Sequence, residues 1–185
     1  MGIIMRRSMD KYYLDYYRMT GEQYKPGIKS LLQRCLFHNL QFAYYFRKYK
    51  ERPGLLSRLM LYRLSRKYGL EISPNAQIGE GIYLGHPYNI TVNEGSVLGK
   101  NVNLHKGYTI GRTNRGNMGS PVIGSCVFIG VNATVVGNIH IGNDVLIAPN
   151  SYVNIDVPDH SVVIGNPAVV HPKENATESY VCFLV

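Results

Sequence analysis

The stretch IGSCVFIGVNATVVGNIHIGNDVLI, residues 123–147, places an aliphatic residue at every sixth position: Ile123, Ile129, Val135, Ile141 and Ile147. A period of six fits neither the 3.6-residue repeat of a helix nor the two-residue alternation of a half-buried strand. It is the signature of a parallel β-helix, in which each hexad forms one short side of a triangular coil. The aliphatic residue points into the prism, and the residue four positions later (Val127, Ala133, Ile139, Val145 or Ser151) fills the space beside it. Small or polar residues turn the corners. A single coil cannot bury its own apolar face, so stability comes from stacked neighbours.

Outward from this stretch, the series runs back through Ile110, Leu104, Leu98, Ile90, Leu84, Ile78 and Ile72, and forward to Val153. Two steps break the period. On this reading two extra residues lie between Ile90 and Leu98, and an excursion rich in Gly, Asn and Arg (111–121) leaves the coil between Ile110 and Ile123. Insertions into a solenoid tend to gather on its binding face. The expected organisation is mainly β: a basic α-helical segment over 1–70, the β-helix over 71–173 and a tail over 174–185.

Charge divides at the same boundary. Residues 1–70 hold 15 Lys and Arg against 4 Asp and Glu, whereas residues 71–185 hold 5 against 8. The basic segment reads as three helices: one through Tyr12, Tyr13, Tyr16 and Tyr17 to Gly21, one after Pro26 that runs from Ile28 to Phe46, and one after Pro53-Gly54 that ends at Gly69. Its cations are either a solvated face of helices that cap the solenoid and pack on sister subunits, or an attraction to an anionic surface such as membrane lipid or a charged glycan carrier. No nucleic-acid-binding module accompanies the charge, so nucleic acid is not an expected partner. No apolar stretch reaches the ~18 residues needed to cross a bilayer, and Met1 to Asp10 lacks the apolar stretch of a signal peptide. A cytoplasmic location is expected, peripheral at the inner membrane face if the basic helices meet lipid. Cys35, Cys126 and Cys182 show no redox or metal spacing, so reduced thiols and no metal are expected.

Of the six histidines, His38, His140, His160 and His171 read as structural or solvated. His86 differs: it stands two residues after the core Leu84, in Gly85-His86-Pro87. An imidazole there suits a general base, because its unperturbed pKa lies near 6.5. His105, which follows the core Leu104, has two readings: a second imidazole near Gly85, or a residue facing solvent on an outer wall.

From about Leu70 to Lys173 the chain resembles the serine acetyltransferases and the related hexapeptide O-acetyltransferases of polysaccharide gene clusters. The resemblance rests on the hexads, the eight-residue step, the His two places after a core Leu, Tyr108-Thr109-Ile110-Gly111, and the closing Ile164-Gly165-Asn166-Pro167-Ala168. It implies a left-handed β-helix, a homotrimer with active sites between subunits, and acetyl-CoA as cosubstrate in the groove between prisms. It also implies His86 as base, with Glu71, fifteen residues earlier, as the carboxylate that orients it. Gly111, Ala133, Thr134, Ala148 and Lys173 match cofactor-groove positions. The family's Asp before the catalytic histidine is Gly85 here, and its Arg-His pair before the Pro that ends the excursion is Gly119-Ser120. Those side chains grip the amino acid acceptor in the family. Arg112, Asn114 and Arg115 of the excursion, with His105, are instead candidates to bind a hydroxyl-rich or anionic acceptor.

The expectation is therefore an acetyl-CoA-dependent O-acetyltransferase acting on a saccharide hydroxyl, such as a surface polysaccharide or its precursor. Serine O-acetylation for cysteine biosynthesis, N-acetylation of an amino sugar and a non-catalytic scaffold stand as alternatives.

Overall fold

The computed structural model describes residues 8–185. Four helices come first: α1 (Ser8–Thr20), α2 (Ile28–Leu36), α3 (His38–Glu51) and α4 (Leu55–Tyr68). Where the sequence reads one helix from Ile28 to Phe46, the chain breaks at Phe37, whose backbone is extended (φ −102, ψ 111). Gly69 closes α4 in the left-handed conformation (φ 68), donating its N–H to the Ser65 carbonyl, and hands the chain directly to the solenoid.

The solenoid makes about five coils. The first is β1 (Leu70–Ile72), β2 (Gln77–Ile78) and β3 (Tyr83–Gly85); the second is β4 (Ile90–Val92), β5 (Val97–Leu98) and β6 (Asn103–His105). The third is β7 (Thr109–Gly111), β8 (Val122–Ile123) and β9 (Phe128–Ile129); the fourth is β10 (Thr134–Val136), β11 (His140–Ile141) and β12 (Val145–Ile147). The last holds β13 (Tyr152–Val153) and β14 (Ser161–Ile164), and β15 (Val169–Pro172) returns antiparallel on β14. Equivalent sides pair in parallel to give three sheets: A (β1-β4-β7-β10-β13), B (β2-β5-β8-β11) and C (β3-β6-β9-β12-β14, with β15 at its edge). The hexad residues fill the prism; Ile90, Leu104, Ile110, Ile129, Val135, Ile141, Ile147 and Val153 are fully buried. Several corners need a left-handed residue, and Asn89, Asn101, Asn132, Asp144 and Asn150 supply it at φ between 51 and 61, as suits short polar side chains.

Strand register corrects one reading of the sequence. Ile72 pairs with Val92 and Val92 with Ile110, while Ile90 pairs with Leu70. The residue that continues the core column is thus Val92. The step from Val92 to Leu98 is a regular six, and the two extra residues fall between Leu84 and Val92, inside the turn His86–Asn89. The later corners joining sheet C to sheet A, from Leu104 to Ile110, Ile129 to Val135 and Ile147 to Val153, keep the six-residue step.

Helices and solenoid are joined through buried charge. Arg47 of α3 donates to both carboxylate oxygens of Asp15 on α1 (2.7 and 3.1 Å) and to the carbonyls of Ile78 and Gly79. Asp15 also accepts from the Ile82 amide. The tail folds back along the corner between sheets B and C: Asn101 exchanges hydrogen bonds with the backbone of Val185, Asn103 donates to the Tyr180 carbonyl, and Asp144 accepts from Ala176 and Thr177.

Candidate active site

The lengthened turn pushes His86 out of the prism wall. Its backbone is left-handed (φ 49) and its side chain is exposed, whereas Gly85 and Pro87 on either side are buried. The turn is tied to itself, through Tyr88 N to His86 O (2.8 Å), and to its surroundings. Asn89 N donates to Tyr68 O (3.0 Å), Ile90 N to Gly69 O (2.8 Å), and Gly107 N to Tyr88 O (2.9 Å).

Glu71 lies on the outer wall of sheet A. Its neighbours across the ladder are Thr91, Thr109, Thr134 and Tyr152, so the wall carries a row of one carboxylate and four hydroxyls. Sequence reading did not single out Thr91, Thr109 or Tyr152, yet each stands one place before a core residue, as Glu71 does. The carboxylate opens onto a pocket of about 360 Å³ between α4 and the first coil, with Arg58, Tyr62 and Ser65 on its helical side. Among the described residues, neither Glu71 nor His86 takes part in a side-chain hydrogen bond or ion pair, so the unliganded chain does not join the two.

His105 does not face open solvent. Gly85 and His105 are paired across β3 and β6, and the half-buried imidazole lies over the glycine: a Cβ at position 85 would sit 2.5 Å from its Nδ1. The rings of Phe128 (4.7 Å) and Tyr83 (6.0 Å) flank it. Burial and then the charge of His86 hold its pKa below the ordinary imidazole value, and its Nε2 is buried without a partner. A neutral imidazole thus takes the volume that a side chain at 85 would need.

The remaining candidates fall into separate places. Gly111 and Thr134 share the outer wall of sheet A. Ala148 follows β12 at the corner leading back to that sheet. Lys173 is exposed after β15, its amide bonded to the His160 carbonyl at a different corner. Ala133 offers nothing to a ligand: its side chain is fully buried, its amide donates to Gly130 and its carbonyl accepts from Thr109. The interior column claims it, which corrects its place among the groove residues. The excursion closes on a two-residue bridge between Thr113 and Gly119, anchored by Asn117 to the Asn138 carbonyl and by Ser120 Oγ to Asn93. Arg112, Asn114 and Arg115 are exposed on it. It leaves the corner between sheets A and B, a sheet's width from the His86 corner, so one chain does not bring excursion and imidazole together. No group of three or more His, Cys, Asp or Glu among the described residues is placed to hold a metal ion.

The family described as Bacterial transferase hexapeptide (six repeats) matches residues 120–154. The serine acetyltransferase of Helicobacter pylori is 31% identical over 150 residues, which cover 80% of this chain and 83% of that protein. Serine acetyltransferase 2 of Arabidopsis thaliana is 38% identical over 134 residues, 71% of this chain but 42% of the plant protein, so the chain spans less than half of that relative. Among solved structures, the serine acetyltransferase of Neisseria gonorrhoeae in complex with serine superposes with a TM-score of 0.70 at 29% identity, covering 89% of this chain and 69% of that one. The serine acetyltransferase of Brucella abortus in complex with coenzyme A gives 0.69 at 28%, covering 91% and 67%.

Proposed function

The chain belongs to the serine acetyltransferase family of hexapeptide-repeat proteins, and from that premise we propose that it transfers an acetyl group from acetyl-CoA to a hydroxyl, serine being the acceptor its relatives support. The observation that carries the reading is His86, held outside the prism by a turn two residues longer than its counterparts. Its imidazole takes the hydroxyl proton as the acceptor oxygen attacks the thioester carbonyl. The C–O bond forms, the C–S bond breaks, and the imidazolium returns the proton to the departing CoA sulfur. Glu71 stabilises the imidazolium through a contact that closes when the ligands are bound, since catalytic hydrogen bonds are often long before loading. No acyl-enzyme is needed: Cys126 is held above the ordinary thiol pKa by burial, which suppresses its thiolate, and Cys35 and Cys182 lie on α2 and the tail. Acetyl-CoA lies along the wall that carries Thr109, Gly111 and Thr134.

A second acceptor, a saccharide hydroxyl, is favoured by one specific observation: the place of an acceptor-gripping carboxylate is taken by Gly85 and the neutral His105. Ser120, where the family has a cationic pair, is spent on Asn93. Release of CoA thiol from acetyl-CoA, measured with serine, a sugar panel and lipid-linked glycans, separates the two. Turnover with serine that vanishes in His86→Ala supports the main reading, turnover with a sugar alone moves the acceptor, and silence with every acceptor together with no acetyl-CoA binding overturns both.

The working form is a homotrimer, because the excursion and His86 of one chain stand apart. The helical segment meets an anionic lipid surface. In support, α2 turns its apolar stripe outward, with Ile28 79% and Leu36 74% exposed, and Leu55, Leu56 and Leu59 of α4 are exposed among Arg58, Arg63 and Arg66. No helix of the described residues is long and apolar enough to cross a membrane. Flotation with anionic but not zwitterionic vesicles, lost at high salt, is the expected result; flotation with neither refutes it.

A further inference from the structure

His38 is the first residue of α3, but its ring turns inward. It stacks on Tyr68, the last residue of α4, at 4.2 Å between centroids and 18° between planes, and meets Tyr88 at 5.0 Å. Burial lowers its pKa, partly opposed by the Pro87 carbonyl bonded to the imidazole. Its Nε2 is buried with no partner. The neutral ring therefore joins three elements: the start of α3, the end of α4 and the turn that carries His86.

That turn is two residues longer than its counterparts, so the coil ladder does not hold it throughout. Pro87 brings no N–H of its own. Asn89 and Ile90 are held by Tyr68 and Gly69, and Tyr88 by Gly107, which fixes the second half of the turn. In the first half, Tyr88 N donates to His86 O (2.8 Å), and the carbonyl of the same Pro87–Tyr88 peptide faces His38.

We propose that His38 is a positioning residue, which fixes the Pro87 peptide and through it the direction of the His86 imidazole. The helical segment then serves the site directly, and packing at the α3–α4 end reaches the base through one side chain. For its rate arm the inference rests on the acetyl-transfer reading.

The test compares His38→Leu, which keeps the apolar fill and removes the donor, with His38→Gln, whose amide N–H can still reach the carbonyl. In the unliganded protein, amide exchange of Tyr88, Asn89 and Ile90 is expected to quicken about tenfold in the Leu variant and return toward wild type in the Gln variant, with the rest of the solenoid unchanged. The His86 imidazole, followed by NMR through a pH titration, shifts in the Leu variant only. With acetyl-CoA and a working acceptor, kcat falls about 10- to 100-fold in the Leu variant while the KM for acetyl-CoA holds, because a small misplacement of a base costs rate rather than cofactor binding. Unchanged exchange and titration in His38→Leu overturn the proposal whatever the rate does. Equal losses in both variants, with a lowered melting temperature, also overturn it, since they mark a packing role alone. If wild type turns over no acceptor and binds no acetyl-CoA, the functional reading fails while exchange and titration still decide the role of His38.

Discussion

At the scale of single residues, the pair Gly85 and His105 is the most sharply determined contact of the candidate site. A methyl at 85 would lie 2.5 and 2.6 Å from two atoms of the imidazole, and the obstruction is a side chain, not backbone. Gly85→Ala is therefore expected to destabilise the protein by about 1–3 kcal/mol, the usual range for overpacking. His105→Ala should relieve most of that cost, so the double variant will be more stable than the sum of the singles predicts; additivity in urea melts would show that the imidazole moves freely. The same residues show how far a sequence can be read. The hexads made the prism legible and picked out His86, but they assigned Ile90 to the wrong column, because Ile90 and Val92 are both aliphatic and both buried. Only the pairing of Ile72 with Val92 reveals that the inserted residues lie in the turn that carries His86. His105 was ambiguous for a related reason: the period says that it faces outward, but not what covers the outer wall.

At the scale of elements, the helices were legible in position but not in orientation. α2 has apolar residues at 28, 31, 32, 35 and 36, the spacing of a buried stripe, yet its buried residue is Ser30 and the stripe faces out. α1 and α3 are fixed instead by charge. Asp15 is fully buried and Arg47 nearly so, and their pair also satisfies backbone groups of the first coil. Arg47→Met alone should cost about 3–5 kcal/mol, because it strands a buried carboxylate, and the double change with Asp15→Leu should recover much of it; calorimetric melting of the three variants checks this. The tail depends on pH in a defined direction. Burial raises the Asp144 pKa, but bonds from His160, Thr177 and Ala176 outweigh it and leave the pKa depressed; the bond to Asp144 raises that of His160. The Asp144 contribution is thus complete above the ordinary carboxylate range and is lost as pH falls through its lowered pKa. The His160 contribution is complete below the ordinary imidazole pKa of ~6.5 and fades as pH rises through its raised value. Exchange of the Ala176 and Thr177 amides, corrected for intrinsic rates, should be slowest between those limits and faster on both sides, and Asp144→Asn should flatten the profile.

At the scale of the whole molecule, the residues proposed for the site are divided between two corners of the prism. His86 stands where sheet C meets sheet A, and the excursion with Arg112 and Arg115 stands where sheet A meets sheet B. A closed ring of three prisms, each setting one corner against the next chain's other corner, would join them at every interface, as heterologous contacts in a cyclic oligomer do. This arrangement makes a prediction that a self-sufficient monomer does not share. Subunits carrying His86→Ala and subunits carrying Arg112→Ala with Arg115→Ala should each be nearly inactive alone. Unfolded together in equal amounts and refolded, they should regain activity, because about a quarter of the interfaces would then pair an intact histidine with an intact excursion. The measurement is CoA release per interface, with refolded wild type as the reference. Sites contained within one chain would show no recovery at any mixing ratio, since every chain in the mixture carries one defect or the other.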